Sequence, residues 1–296
     1  MSELRTLAES IREHCPGRWS ATSVPRLTLV AFDVVPDPME QVYEPMVCFV
    51  ASGSKRTIAG RDIHTAGAGQ MLLSSLELPV TSVVSRAPYR AAVLRLDIGL
   101  LADVIARTDL TGRAEQVEGA GSGLTSALMD PAVADAVARF VGLLDHPEDI
   151  DVVAPLVETE ILYRLLQGQL GSVMRQVVMA GSNLGRVRAA AAEIRRDLAA
   201  PLSLRDLAAA INMSSASLHR HFKAATGSSP LQFKKHLQLQ QARRLLLSGD
   251  QTAGSVARQL GFVSASQFNR EYRRAYGLPP IQDAHRLRQT TSAGAA

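Results

Sequence analysis

From Arg26 to Ile98 the chain alternates short apolar runs with turn residues: RLTLVAFDV, MVCFVASG, KRTIAG, QMLLSS, VTSVVS and YRAAVLRLDI are separated by Pro-Asp-Pro, Ser-Gly-Ser, Ala-Gly-Arg-Asp and Gly-Ala-Gly. Short runs rich in branched residues and bounded by Gly, Pro and Ser predict strands. Their close succession predicts a small antiparallel barrel or sandwich, because a doubly wound sheet would need a helix between successive strands. After Gly99 the period lengthens. LLADVIART, PAVADAVARFVGLLDH and APLVETEILYRLLQGQL read as helices, with Pro131 and Pro155 in first turns, where a missing N–H costs little. Leu156, Ile161 and Leu165 are expected on one apolar stripe. The last two helices can pack as an antiparallel pair on the barrel or form the seam of a dimer.

Between Leu202 and Gly277 one helical pattern occurs twice, about 50 residues apart. The first copy is LSLRDLAAAINMSSASLHRHFKAATGSSP and the second QTAGSVARQLGFVSASQFNREYRRAYGLPP. In each, a hydroxyl residue, Ser203 or Thr252, stands at a helix N-cap. A small residue, Ala208 or Ala257, leaves room for a second helix, and Asn212 or Gly261 accepts the left-handed backbone of a tight turn. Ser214 or Ser264 then caps a second helix, and Ser264-Ala265-Ser266-Gln267 has the sequence of a capping box. Leu218 and Phe222, like Phe268 and Tyr272, are four apart and predicted to face a core. That leaves Ala216, His219, Arg220 and Lys223 outward in the first copy, and Ser266, Asn269, Arg270 and Arg273 outward in the second. Arg and Asn can each grip a base edge through two hydrogen bonds, whereas caps and point charges suit phosphate. Helix, tight turn, helix is the unit with which many proteins enter a DNA major groove. From Pro230, PLQFKKHLQLQQARRLLL predicts a helix of roughly 17 residues and about 25 Å, a spacer for two units reaching groove faces about 34 Å apart.

At 296 residues the chain is long enough for two domains, each with its own core. A cut near Gly181 exposes a charge asymmetry: residues 181–296 carry 17 Lys+Arg and 6 Asp+Glu, leaving 15 and 22 to residues 1–180. A basic part on an otherwise acidic chain is the electrostatic footprint of a nucleic-acid-binding module. No run approaches 18 uninterrupted apolar residues and MSELRTLAESIREHCPG lacks a secretory pattern, so a cytoplasmic, non-membrane protein is expected. Two cysteines, Cys15 and Cys48, are too few for a disulfide framework. Gln289 to Ala296 reads as a frayed tail.

LHRHFKAATGSSP, QARRLLL, VARQLGF and SQFNREYRRAYGLPP together resemble the DNA-binding domain of the AraC/XylS family of transcription regulators, over about 100 residues. The resemblance implies that the second helices are recognition helices, with base-contacting positions on Ala216, His219 and Arg220, then on Ser266, Gln267, Asn269 and Arg270. Ala216 can at best touch a thymine methyl, so the first copy is expected to read through His219 and Arg220. Phosphate contacts are expected from Ser214, Lys223, Lys235, Ser264 and Arg273. Two positions depart from the family pattern. Gln238 replaces a linker-helix Arg, which is expected to remove a phosphate or ion-pair contact, and Asn212 replaces the turn Gly. VYEPMVCFVASGSKRTIAG, DIHTAGAGQMLLSSLELPV and APYRAAVLRLDI resemble a subgroup carrying a cupin-like regulatory domain, which implies a small ligand-sensing barrel and helices that mediate dimerisation.

The expected fold is α+β: a cupin-like β-barrel with flanking helices over residues 1–180, then an all-α domain over 181–296 with helix-turn-helix units at about 202–227 and 252–277. The expected function is a sequence-specific transcription regulator, activator or repressor, controlled by a small-molecule effector. It has no enzymatic activity and no cofactor. Double-stranded DNA is the expected partner, with RNA polymerase and a second copy of the chain as further candidates. Two alternatives are a constitutive regulator and a repair enzyme fused to a DNA-binding module. The alkyl-transfer chemistry of the latter needs a zinc-held cysteine cluster, which two isolated cysteines cannot supply. Tyr43, Glu44 and Cys48 are candidate effector contacts; Glu44 equally suits a turn, and Cys48 a small core position. No metal is expected. His219 and His221 point about 200° apart on a helix, and His64 stands alone among the strands without a His-x-His pair.

Overall fold

The computed structural model of the chain describes residues 2–108, 122–179, 181–249 and 251–293. The chain divides into two compact units, Met1–Arg188 with Arg220–Ser228, and Ala189–His219 with Ser229–Ala296. The class is α+β, an antiparallel sheet with helices followed by helices alone.

The sheet comprises β1 (Trp19–Ala21), β2 (Leu27–Phe32), β3 (Met39–Tyr43), β4 (Met46–Ala59), β5 (Asp62–Gly67), β6 (Gln70–Ser74), β7 (Leu78–Arg95) and β8 (Leu124–Leu128). Its order is β1-β2-β7-β4-β6-β8, with β3 added on β7 and β5 on β4, every pairing antiparallel. β4 and β7 are continuous strands of 14 and 18 residues, so MVCFVASG with KRTIAG, and VTSVVS with YRAAVLRLDI, are two strands rather than four. Ser52-Gly53-Ser54 does not end a strand. The register against β7 shifts between Val50 and Lys55, a run of bulges that bends the strand while keeping it paired. Gly53 sits at φ +73°, where a Cβ would lie 2.4 Å from the Arg86 carbonyl oxygen, so this crossing requires glycine. The first half of β4 pairs with β6 and the end of β7; its second half pairs with β5 and the start of β7, which also carries β3.

Alternation divides the strand residues between two faces. Val47, Phe49, Ala51, Leu73, Ala92 and Leu94 join the core under α1 (Ser2–His14), α2 (Ile98–Arg107), α3 (Pro131–Gly142), α4 (Ile150–Gln167) and α5 (Gly171–Val178). Cys48, Val50, Tyr89 and Ala91 take the opposite face, which the bend folds into an interior. α1, unforeseen, contributes Leu7 and Ile11, four apart and buried. Asp130 caps α3 by accepting from Ala132 N at 2.9 Å, with Pro131 first in the helix as expected. α4 begins at Ile150, so Pro155 lies inside it. Burial of Ile150, Ala154, Val157, Ile161 and Leu165 on one face outweighs the one donor Pro155 lacks. The stripe is therefore offset, and Leu156 is 66% exposed. Arg26 Nε donates to buried Glu158 at 2.8 Å and ties the start of β2 to α4.

The remaining helices are α6 (Asn183–Arg196), α7 (Leu204–Ala210), α8 (Ser215–Thr226), α9 (Pro230–Leu247), α10 (Ala253–Gln259), α11 (Ala265–Tyr276) and α12 (Pro280–Ala293). α9 runs 18 residues from a full capping box, Ser229 with Gln232, around Pro230. Leu239, Ala242 and Leu246 of α9 pack with Val256, Ala257, Leu260, Phe268, Tyr272 and Ala284. The tail expected from Gln289 is helical through Ala293; residues 294–296 lie outside the described ones. No helix among the described residues is long and apolar enough to cross a membrane.

Candidate DNA-binding interface

Both copies of the repeat form helix, turn, helix by the same local chemistry. Ser203 Oγ accepts from Asp206 N at 3.2 Å and Thr252 Oγ1 from Ser255 N at 3.2 Å, fixing the starts of α7 and α10. At the first turn Asn212 N donates to Ala209 O at 3.1 Å and Met213 N to Ala208 O at 2.9 Å. At the second, Gly261 N donates to Arg258 O at 3.1 Å and Phe262 N to Ala257 O at 2.9 Å. This paired pattern is a Schellman stop, and it needs a left-handed residue just past the helix. Asn212, at φ 54°, and Gly261, at φ 75°, provide it. Asparagine thus serves where glycine is usual. Ser214 and Ser264 then accept from Ser217 N and Gln267 N at 3.2 and 3.1 Å and start α8 and α11.

The inner faces are closed. Leu218, Phe222, Phe268 and Tyr272 are each at most 1% exposed. Outward, Ala216, His219, Arg220 and Lys223 of α8 and Ser266, Asn269, Arg270 and Arg273 of α11 are all exposed, each set at i, i+3, i+4, i+7 spacing. Asn269, Arg270, Arg273 and Arg274 border an open groove of about 720 Å³ whose other walls are Ala253, Pro279, Pro280 and Ile281. Such a face offers two-point hydrogen bonding to base edges beside charges suited to phosphate.

Two expected contacts, and the linker-helix position that departs from the family pattern, are engaged within the protein. Gln267 is half-buried, and its Oε1 accepts from Val263 N at 3.2 Å, so the capping sequence reaches back one residue beyond Ser264. Lys235 Nζ donates to Glu271 at 3.0 Å, pairing α9 with the acid on α11. Gln238 is buried, and its Nε2 donates to Leu198 O at 2.8 Å and Leu260 O at 2.7 Å. The position is an internal staple to the second turn. His221 is half-buried. Its pKa is lowered, by burial first and then by Arg220, whose Nη2 lies 3.4 Å from His221 Nε2.

Of the effector candidates, the sheet brings Tyr43 and Cys48 together inside and leaves Glu44 at the surface, 3.6 Å from Arg95 Nη1. Buried Lys55, which the strand pattern did not single out, stands between Tyr43 and Cys48. His64 is half-buried, and burial lowers its pKa against the opposing pull of Asp62. Among the described residues no group of His, Cys, Asp or Glu is arranged to hold a metal ion.

Paired helix-turn-helix units with basic outward faces, following a sheet domain, define the class of helix-turn-helix transcription regulators. An "AraC-type transcriptional regulator N-terminus" matches residues 23–173 and a "Helix-turn-helix domain" residues 207–286. The chain belongs to the AraC-type transcriptional regulator family. The MmsAB operon regulatory protein of Pseudomonas aeruginosa is 36% identical over 98 residues, 33% of this chain and 32% of that protein. The transcriptional activator RhaS of Salmonella paratyphi A is 27% identical over 154 residues, 51% and 54% of the two chains. The chain thus spans between a third and about half of the length of these relatives. Apo ToxT from Vibrio cholerae, as a point variant, covers 90% of this chain and 99% of its own at 11% identity, with a TM-score of 0.57. ToxT bound to (E)-4-(8-methylnaphthalen-1-yl)but-3-enoic acid is similar over 91% of this chain and 99% of its own, at 9% identity and TM-score 0.56. At such identity the likeness is one of fold.

Proposed function

We propose that this chain is a sequence-specific DNA-binding transcription regulator under small-molecule control, with residues 1–180 as the regulatory part and 181–296 as the DNA-binding part. The supporting observation is the pair of capped helices α8 and α11, each closed on one side by apolar residues and lined on the other by Arg, Lys, His, Asn and Ser. Arg270 and Asn269 read bases in the second unit, His219 and Arg220 in the first. Lys223 and Arg273 hold phosphate. Ser214, Ser264 and Gln267 order the helix starts that face the backbone.

Arg270→Ala is expected to weaken binding to the cognate site by about 1–3 kcal/mol and to relax preference at one base pair. Fluorescence anisotropy against a set of single-base operator variants checks it; equal weakening on every sequence removes base reading from Arg270. His219→Ala is expected to change base preference in one half-site only. An unaltered footprint and unaltered preferences would remove His219 from the readers.

Effector control draws support from the match of the N-terminal half to the family's N-terminal domain and from ToxT, whose structures hold an unsaturated fatty acid or the naphthalenyl butenoic acid. An effector acts by binding one arrangement of the chain better than another, so operator affinity must change with its concentration. Unchanged affinity at saturating effector makes the regulator constitutive.

A further inference from the structure

Lys55 is a buried cation with no buried anion beside it among the described residues. Its residue is 4% exposed, and among the described residues no carboxylate comes within ion-pair distance of its Nζ. An ammonium has three N–H donors. One meets Tyr43 Oη at 3.0 Å, and a second lies 3.9 Å from Cys48 Sγ, a weak acceptor. The Tyr43 and Tyr89 rings flank Nζ with centroids at 5.2 and 5.7 Å. Isolating a cation in this way is unfavourable unless something pairs with it.

A second observation falls on the same strand. Thr57, two residues along β4 and on the same face, is fully buried, and its Oγ1 has no hydrogen-bond partner among the described residues. It lies opposite Ser82 of β7, whose own hydroxyl accepts from Tyr43 Oη at 3.4 Å. Buried hydroxyls ordinarily find partners, so an orphan one beside an unpaired ammonium marks a place for an acceptor. The surroundings limit its kind. Among the described residues no arginine bonds to the group formed by Lys55, Tyr43 and Cys48, and Leu72, Val80 and Val84 on the same inner face are buried and apolar.

We propose that the interior of the bent sheet binds a small monocarboxylic acid, its carboxylate paired with Lys55 and accepting from Thr57, its apolar body against the neighbouring strands. This rests on the effector reading above and names the effector's class. One ammonium with hydroxyls suits a single negative charge, whereas phosphate groups call for more donors.

The test uses the full chain, thermal unfolding and calorimetry. The probes are sodium benzoate, phenylacetate, octanoate and oleate, with the primary amide of each and inorganic phosphate as controls. At least one carboxylate is expected to raise Tm by about 5–10 °C at about a hundredfold above its Kd, with its amide and phosphate inactive. Lys55→Met is expected to fold with an unliganded Tm no lower than the parent's, since the change removes an unpaired charge, and to lose affinity for that acid by about 30-fold or more. Thr57→Val, close to isosteric, is expected to keep its Tm and bind more weakly. The proposal is overturned if no carboxylate binds, if amides bind equally, if Lys55→Met retains affinity, or if Lys55→Met is destabilised without ligand, which would make the lysine a structural brace. Operator affinity is measured separately. Acid binding that leaves it unchanged sinks effector control and keeps the site; ligand-responsive DNA binding with no carboxylate bound sinks the site alone.

Discussion

Asp283→Ala is expected to destabilise the C-terminal unit by about 3–5 kcal/mol, more than any surface charge there. Asp283 is fully buried and gathers three elements. It accepts from Arg243 Nε at 2.8 Å and Nη2 at 3.1 Å on α9, from Tyr272 Oη at 2.9 Å on α11, and from Arg286 Nη2 at 3.2 Å on its own helix. Arg243 also stacks on Tyr276, 4.4 Å from the ring centroid. Burial, then the charge of Asp283, raises the Tyr272 pKa, so the hydroxyl remains a donor. Removing the carboxylate strands the Arg243 charge and the Tyr272 hydroxyl together, which is why the loss exceeds that of an ordinary hydrogen bond of about 1 kcal/mol. Asp283→Asn keeps an acceptor and is expected to fall between the two. Urea unfolding reads the difference, and a loss below about 1 kcal/mol for the alanine variant would show that α9, α11 and α12 hold together without this network. Because Tyr272 anchors the inner face of α11, footprints on DNA should fail at the second half-site before the first.

The parts of this molecule that were legible in sequence are those governed by neighbours along the chain. Ser203, Thr252, Ser214 and Ser264 cap helices because a side-chain oxygen can reach an N–H three residues on. Asn212 and Gly261 stop helices because few residues adopt a positive φ. Both follow from local geometry, so the two helix-turn-helix units could be placed with their inner and outer faces assigned. Long-range pairing was not legible. Ser52-Gly53-Ser54 has the composition of a turn, and only the continued pairing of β4 with β7 makes it a bulge. Pro155 resembled a helix start for the same reason: the face that α4 buries is decided by the sheet, not by proline. Gln238 and Lys55 belong to this second kind. A glutamine in a linker helix carries no local sign that carbonyls of Leu198 and Leu260 will converge on it. Lys55 in KRTIAG looks like one of two surface cations until strand alternation turns it inward and Arg56 outward.

Raising salt from about 50 to 200 mM is expected to weaken operator binding by roughly 10³-fold or more. Several basic residues of the helical part are already engaged internally: Lys235 with Glu271, Arg243 and Arg286 with Asp283, Arg196 with Glu193. Others remain exposed and outside those ion pairs, among them Arg205, Arg220, Lys223, Arg244, Arg258, Arg270, Arg273 and Arg274. These are the side chains available to displace counterions from phosphate. If six or more do so, log affinity falls against log salt with a slope of about −5 or steeper on duplex DNA. Arg273→Ala, on the outward face of α11, is then expected to weaken binding alike on cognate and scrambled sequences and to make the slope shallower by about one. Arg270→Ala changes base preference instead. The two substitutions lie one turn apart on one helix, so comparing their salt slopes and base preferences separates phosphate anchoring from base reading within a single structural setting. A parent slope shallower than about −2 would mean that the exposed cations do not track the backbone, and the charge asymmetry of the chain would need another partner.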